Sequence, residues 1–129
     1  MRRSISVLLL LVLVSFLLSA CGYKTFAFSG ESDNWMAELK VTQTEDEYEE
    51  QELKIQYKGN DVDSVGEIKY IVETNAGGFS GSGLSLEKNG TLKASAEGNP
   101  TNAKIVEESE VIVTIEWNSH TETIILTIN

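Results

Sequence analysis

The amino-acid sequence predicts an all-β protein, an antiparallel immunoglobulin-like β-sandwich of seven to eight short strands. Apolar and polar residues alternate with period two in several short runs, which marks strands with one buried face. Turn-forming residues separate those runs, and no window of about 11 residues keeps a helical period. A small closed β-barrel fits the same pattern and stands as the alternative.

The chain opens on Met1–Cys21, which reads as a signal peptide. Arg2 and Arg3 supply the positive start, and Ile5 to Leu18 is apolar apart from Ser6 and Ser15. A run of about 14 residues is short for a bilayer core of ~30 Å, which takes roughly 20 residues to cross. It ends Leu18-Ser19-Ala20-Cys21, which resembles the lipobox of bacterial lipoproteins at all four positions. The resemblance implies cleavage between Ala20 and Cys21 and a diacylglyceryl thioether on the Cys21 thiol, with further acylation such as palmitate. Two or more acyl chains anchor stably where one is reversible. The expected organisation is a signal peptide over 1–20, a lipidated tether over 21–34 and a β-sandwich domain over 35–129.

Within the tether, Tyr23, Phe26 and Phe28 are apolar enough for part of it to pack as a short edge strand. Trp35, Ala37, Leu39 and Val41 then alternate with polar or exposed positions. The acidic stretch Thr44–Glu52 follows, with room for one helical turn over Tyr48–Leu53, before Leu53, Ile55 and Tyr57 alternate again. Ile68, Tyr70 and Val72 mark the next strand. Asn75–Gly83 is glycine-rich and reads as a flexible loop. Leu84–Glu87 and Thr91–Ala96 flank Lys88-Asn89-Gly90, and Asn-Gly between two short runs signals a hairpin. Glu97–Val106 reads as a loop. Val111, Val113, Ile115 and Trp117, a turn at Asn118-Ser119-His120, and Ile124, Leu126 and Ile128 form a terminal hairpin.

The signal peptide, Glu31-Ser32-Asp33-Asn34-Trp35 and Ile115-Glu116-Trp117 with Glu122 together resemble the small lipid-anchored lipoproteins of Gram-positive bacteria. The resemblance implies a location on the extracytoplasmic face of the cell membrane and brings no catalytic residues with it.

The net charge of −10 becomes −12 once Arg2 and Arg3 leave with the signal peptide. Such a surface argues against nucleic acid, which needs clustered Lys and Arg to displace counterions. It also argues against docking on an anionic lipid face, so the membrane is reached through the lipid anchor alone. Cys21 is the single cysteine, which excludes an internal disulfide and a cysteine-based metal site.

Few residues invite a chemical role. Gly77–Gly83 lacks the Gly-Lys-Ser/Thr ending of a phosphate loop, and the acidic runs lack the spacing of a calcium loop. His120 is the single histidine and stands beside Ser119 in a predicted turn, so no nucleophile–base pair is expected. No metal, cofactor or catalytic residue is expected. Trp35 and Trp117 are in phase with the core. Five residues remain as binding candidates. Phe79 is the one large side chain in the glycine-rich loop, while Met36, Ile71, Ile112 and Ile125 are apolar and out of phase with the core. The expected function is a non-enzymatic binding or interaction module of the cell envelope, acting on a protein or a glycan. The alternative is a small carboxylate-dependent hydrolase or lyase.

Overall fold

A computed structural model describes residues 24–44, 48–98 and 104–129. The expected signal peptide and lipobox, with Ala20 and Cys21, lie outside the described residues. The strands are β1 (Lys24–Glu31), β2 (Trp35–Gln43), β3 (Glu49–Tyr57), β4 (Ile68–Thr74), β5 (Gly77–Leu84), β6 (Thr91–Gly98), β7 (Val111–Trp117) and β8 (His120–Ile128). A short 3-10 turn, Val62–Ser64, lies between β3 and β4.

All neighbouring strands are antiparallel, in the order β5-β4-β7-β8-β1-β2-β3-β6. The chain crosses between the two halves of this order after β3, after β5 and after β6, as in the Greek-key connections of sandwiches. Two four-stranded halves result, joined along β1 and β8, where Phe28 pairs with Ile128 and Ser29 with Thr127. The opposite borders, β5 and β6, pair with no strand among the described residues. The sheet is therefore nearly closed, with one open seam.

The alternation in the sequence places the core. Trp35, Ala37, Leu39 and Val41 from β2 and Val111, Val113, Ile115 and Trp117 from β7 are all buried, in one apolar cluster. Val, Ile and Thr dominate β7 because branched side chains suit a pleated, half-buried surface. Asn118 and Ser119 have φ of 44° and 65° and close a two-residue turn between Trp117 and His120. Positive φ at both positions is what such a hairpin requires.

Several local expectations differ from the structure. Part of the presumed tether is not an edge: Lys24–Glu31 is an interior strand, paired with β2 and β8, with Phe26 and Phe28 in the core. Tyr48–Leu53 begins no helical turn, because β2 and β3 pair from Trp35↔Tyr57 to Gln43↔Glu49. The glycine-rich stretch is strand β5, paired with β4. A Cβ at Gly78 would lie 2.0 Å from the Val72 carbonyl oxygen, so these glycines permit close strand approach. Lys88-Asn89-Gly90 makes a tight turn, with Gly90 at φ 82° and the Glu87 N–H donating to the Thr91 carbonyl at 2.9 Å, but beyond that bond its flanks form no ladder with each other. β5 takes β4 as its partner and β6 takes β3, so this turn carries the chain between the two ends of the sheet.

The loop before β7 also contributes to the core. Ile105 is fully buried, and its carbonyl accepts a hydrogen bond of 2.7 Å from Gln43 Nε2. The adjacent Lys104 carbonyl accepts one of 2.8 Å from Asn75 Nδ2. Gln43 ends β2 and Asn75 begins the β4–β5 turn, so this loop ties the two halves together. Replacing Ile105 by Ala is expected to cost about 2–4 kcal/mol, as for other buried isoleucines. Chemical denaturation checks this, and a change below about 1 kcal/mol contradicts the role of Ile105 as a plug.

Candidate functional site

The open seam forms a cleft of about 240 Å³ at one end of the sandwich, bordered by Ala76, Gly78 and Phe79 on one side and by Ala96, Glu97 and Gly98 on the other. Its floor is Glu49 and Gln51. Both follow the inward phase set by Leu53 and Ile55, so the inner face of β3 turns from apolar to polar at this end. Glu49 is only 4% exposed. Its carboxylate accepts hydrogen bonds from Gln51 Nε2 at 3.1 Å and Gln43 Nε2 at 3.4 Å. The side-chain oxygen of Gln51 is buried and accepts no hydrogen bond among the described residues.

Phe79 borders this cleft with its ring edge-on to Tyr70, the centroids 6.0 Å apart, and it packs partly against the core. Burial raises the Tyr70 phenol above its ordinary pKa. On the outer side, the Tyr48 hydroxyl donates a hydrogen bond to Glu97. That bond, some burial and the charges of Glu97 and Glu50 push the phenol up to about 12. Glu97 pairs in register with Glu50 while Glu49 pairs with Gly98, so the Glu97 and Glu49 side chains leave opposite faces of the sheet. The two carboxylates do not converge on one substrate position.

The four out-of-phase apolar residues divide. Ile112 on β7 lies directly opposite Ile125 on β8. Glu73 pairs with Ile112 and Ile71 with Thr114, so Ile71 sits one diagonal step from Ile112. These three form a stripe across β4, β7 and β8, with Ile125 60% exposed. Met36, 47% exposed, stands apart on β2 with β1 in between.

At the other end of the molecule, Glu122 clamps the β1–β2 turn. It accepts hydrogen bonds from the Ser32 hydroxyl at 2.6 Å, from the Asn34 backbone N–H at 3.0 Å, and from the Asn34 side-chain amide. The Glu31–Trp35 and Ile115–Glu122 patterns are thus in direct contact. Trp35 stacks edge-on against Trp117 at 5.2 Å, and Trp117 lies against the His120 ring at 5.3 Å. His120 belongs to strand β8 rather than to the turn.

Sequence reasoning singled out Phe79 but missed Glu49, Gln51 and Ile105. Glu49 was legible as an odd-numbered position in phase with Leu53 and Ile55, but the surrounding acidic run read as solvated surface. Among the described residues, no group of three or more His, Cys, Asp or Glu is placed to hold a metal ion. The fold and cleft define a class: a small all-β antiparallel domain with an open seam. No protein-family model matches the chain, and neither a curated protein nor a solved structure is significantly similar to it.

The clamp has a pH signature. Burial raises the Glu122 pKa, but the hydrogen bonds from Ser32 and Asn34 and the nearby His120 outweigh it and hold the carboxyl below its ordinary value. A depressed carboxyl contributes stability above the usual glutamate range, and that contribution is lost as pH falls through the lowered value. Glu122→Ala is expected to cost about 1–2 kcal/mol at pH 7, given partial exposure. The gap from the wild type should narrow as melting is followed down to acidic pH. A pH-independent gap rules out a charged clamp.

Proposed function

We propose that this chain is a lipid-anchored, extracytoplasmic binding module of the bacterial cell envelope, held to the membrane at Cys21 and non-enzymatic. The observation that carries the binding part is the seam cleft, where two strand borders unpaired among the described residues, an aromatic side chain and a buried polar floor meet. Clefts that combine apolar walls with a few placed polar groups suit ligands. The opposite orientation of Glu49 and Glu97 favours binding over the hydrolase or lyase alternative, which needs two carboxylates facing one bond. The stripe Ile71, Ile112 and Ile125 offers a second contact surface, and Met36 is not part of it. The location rests on the signal peptide and the lipobox resemblance of Leu18–Cys21. A protein or glycan of the envelope is the partner class within reach of such an anchor.

Two measurements test this reading. Labelling cells with a fatty-acid analogue should tag the wild-type chain, while Cys21→Ala should lose the label and accumulate as precursor or be released. An unlabelled, secreted wild-type chain contradicts the anchor. Photo-crosslinking from position 96, on the opposite side of the cleft, should trap an envelope component in intact cells. Phe79→Ala should weaken that capture and, since its ring is only partly buried, cost about 1–3 kcal/mol of stability. Full capture by a destabilised Phe79→Ala chain removes Phe79 from recognition.

A further inference from the structure

We infer that the seam cleft receives a lysine or arginine side chain from an extended peptide segment lying between β5 and β6. The inference rests on the binding-module reading and gives its ligand a chemistry.

Among the described residues, the floor of the cleft offers more acceptor than donor capacity. Gln51 Nε2 donates to Glu49 at 3.1 Å, and that bond turns the Gln51 oxygen the other way, buried and without a donor. Gln43 Nε2 is shared between the Ile105 carbonyl at 2.7 Å and Glu49 at 3.4 Å. A carboxylate has about four lone-pair positions, so Glu49 keeps unused capacity. The ion pairs among the described residues join Lys40 to Glu52, Lys58 to Glu31 and Lys69 to Glu116, and none involves Glu49. A carboxylate that is 4% exposed thus has amide partners but no cation among the described residues. Buried charges are ordinarily paired with an opposite charge. The group that completes this floor carries several donors and a positive charge, as ammonium and guanidinium do. The Phe79 ring on the cleft wall suits the same group, since aromatic faces attract cations.

The cleft borders point to a peptide rather than a free amine. The outer edges of β5 and β6 pair with no strand among the described residues, so each offers backbone groups to an added strand. β5 places Gly77, Gly78, Gly81 and Gly83 along that border, where the lack of side chains admits another backbone. The chain's net charge of −10 favours approach of a basic segment.

The test uses the purified full chain in detergent and a fluorescein-labelled peptide of alternating threonine and valine around one central lysine. Fluorescence anisotropy should report binding, and replacing the lysine by glutamine should weaken it at least tenfold. Glu49→Gln should weaken the lysine peptide by a similar factor. If that variant fails to fold, Gly98→Lys supplies the second arm. Gly98 lies opposite Glu49 in register, and a Cβ there meets nothing within 4 Å. The new lysine should occupy the floor, raise the melting temperature and block the peptide. The inference is overturned by equal binding of the lysine and glutamine peptides, by unchanged binding to Gly98→Lys, or by no binding at all. Butylamine binding as tightly as the peptide overturns the strand addition. A concentration-dependent dimer that excludes the peptide assigns the seam to a second copy instead. An envelope partner trapped in cells by a chain that ignores every peptide would sink this inference alone and leave the binding module standing.

Discussion

The architecture depends on β1 being paired on both sides. β2 follows it along its whole length from Lys24↔Gln43 to Glu31↔Met36, while β8 meets it at Phe28 and Ser29. Without β1 the molecule is a four-stranded sheet, β5-β4-β7-β8, and a three-stranded one, β2-β3-β6, with no strand pairing between them. Two features make the double pairing possible. A Cβ at Gly30 would fall 2.5 Å from the Ile125 carbonyl oxygen, so only glycine lets β1 and β8 run this close. Beyond Gly30 the strands diverge, and Glu122 bridges the gap by collecting donors from Ser32 and Asn34. Backbone pairing thus passes into a side-chain clamp where the pairing ends.

Closing one side of the sandwich leaves the other side open. With β8 joined to β1, the remaining borders β5 and β6 face each other across the seam. Direct pairing of these strands would complete a barrel. Instead the Ile105 loop is pinned from Gln43 and Asn75, on the two halves, and fills the core at that end. Burial of Ile105 satisfies the apolar requirement there, and the seam is left to polar groups.

The strands with clean alternation, β2, β4 and β7, were legible in the sequence because burying one face demands period two. The core tryptophans followed from the same rule. What escaped were features set by partners distant in the chain. Gly78 and Gly81 looked flexible, yet they are fitted to Val72 and the Tyr70 ring on β4. The Asn89-Gly90 turn has hairpin chemistry, but local turn preference does not choose the strand that each flank pairs with. Register with β3 chose it. Phe79 was recognisable as an isolated aromatic, while the polar floor beneath it was not. Glu49 and Gln51 belong to a run whose composition suggests solvent, and only their phase relative to Leu53 reveals that they turn inward.

That inward turn has a thermodynamic consequence. Continuing the pattern of Leu53 and Ile55 with two more apolar residues would extend the core toward Ile105. Apolar residues there would avoid the desolvation cost of a buried carboxylate. Among the described residues, the chain instead holds a carboxylate and an unsatisfied amide oxygen next to an aromatic ring and two unpaired strand edges. Buried acceptors without donors work against the folded state, and a ligand that supplies donors relieves that cost upon binding. The same groups then discriminate, because an uncharged or acceptor-bearing side chain would leave them unpaired. In the proposed complex, stability given up at the seam would be converted into preference for one kind of ligand.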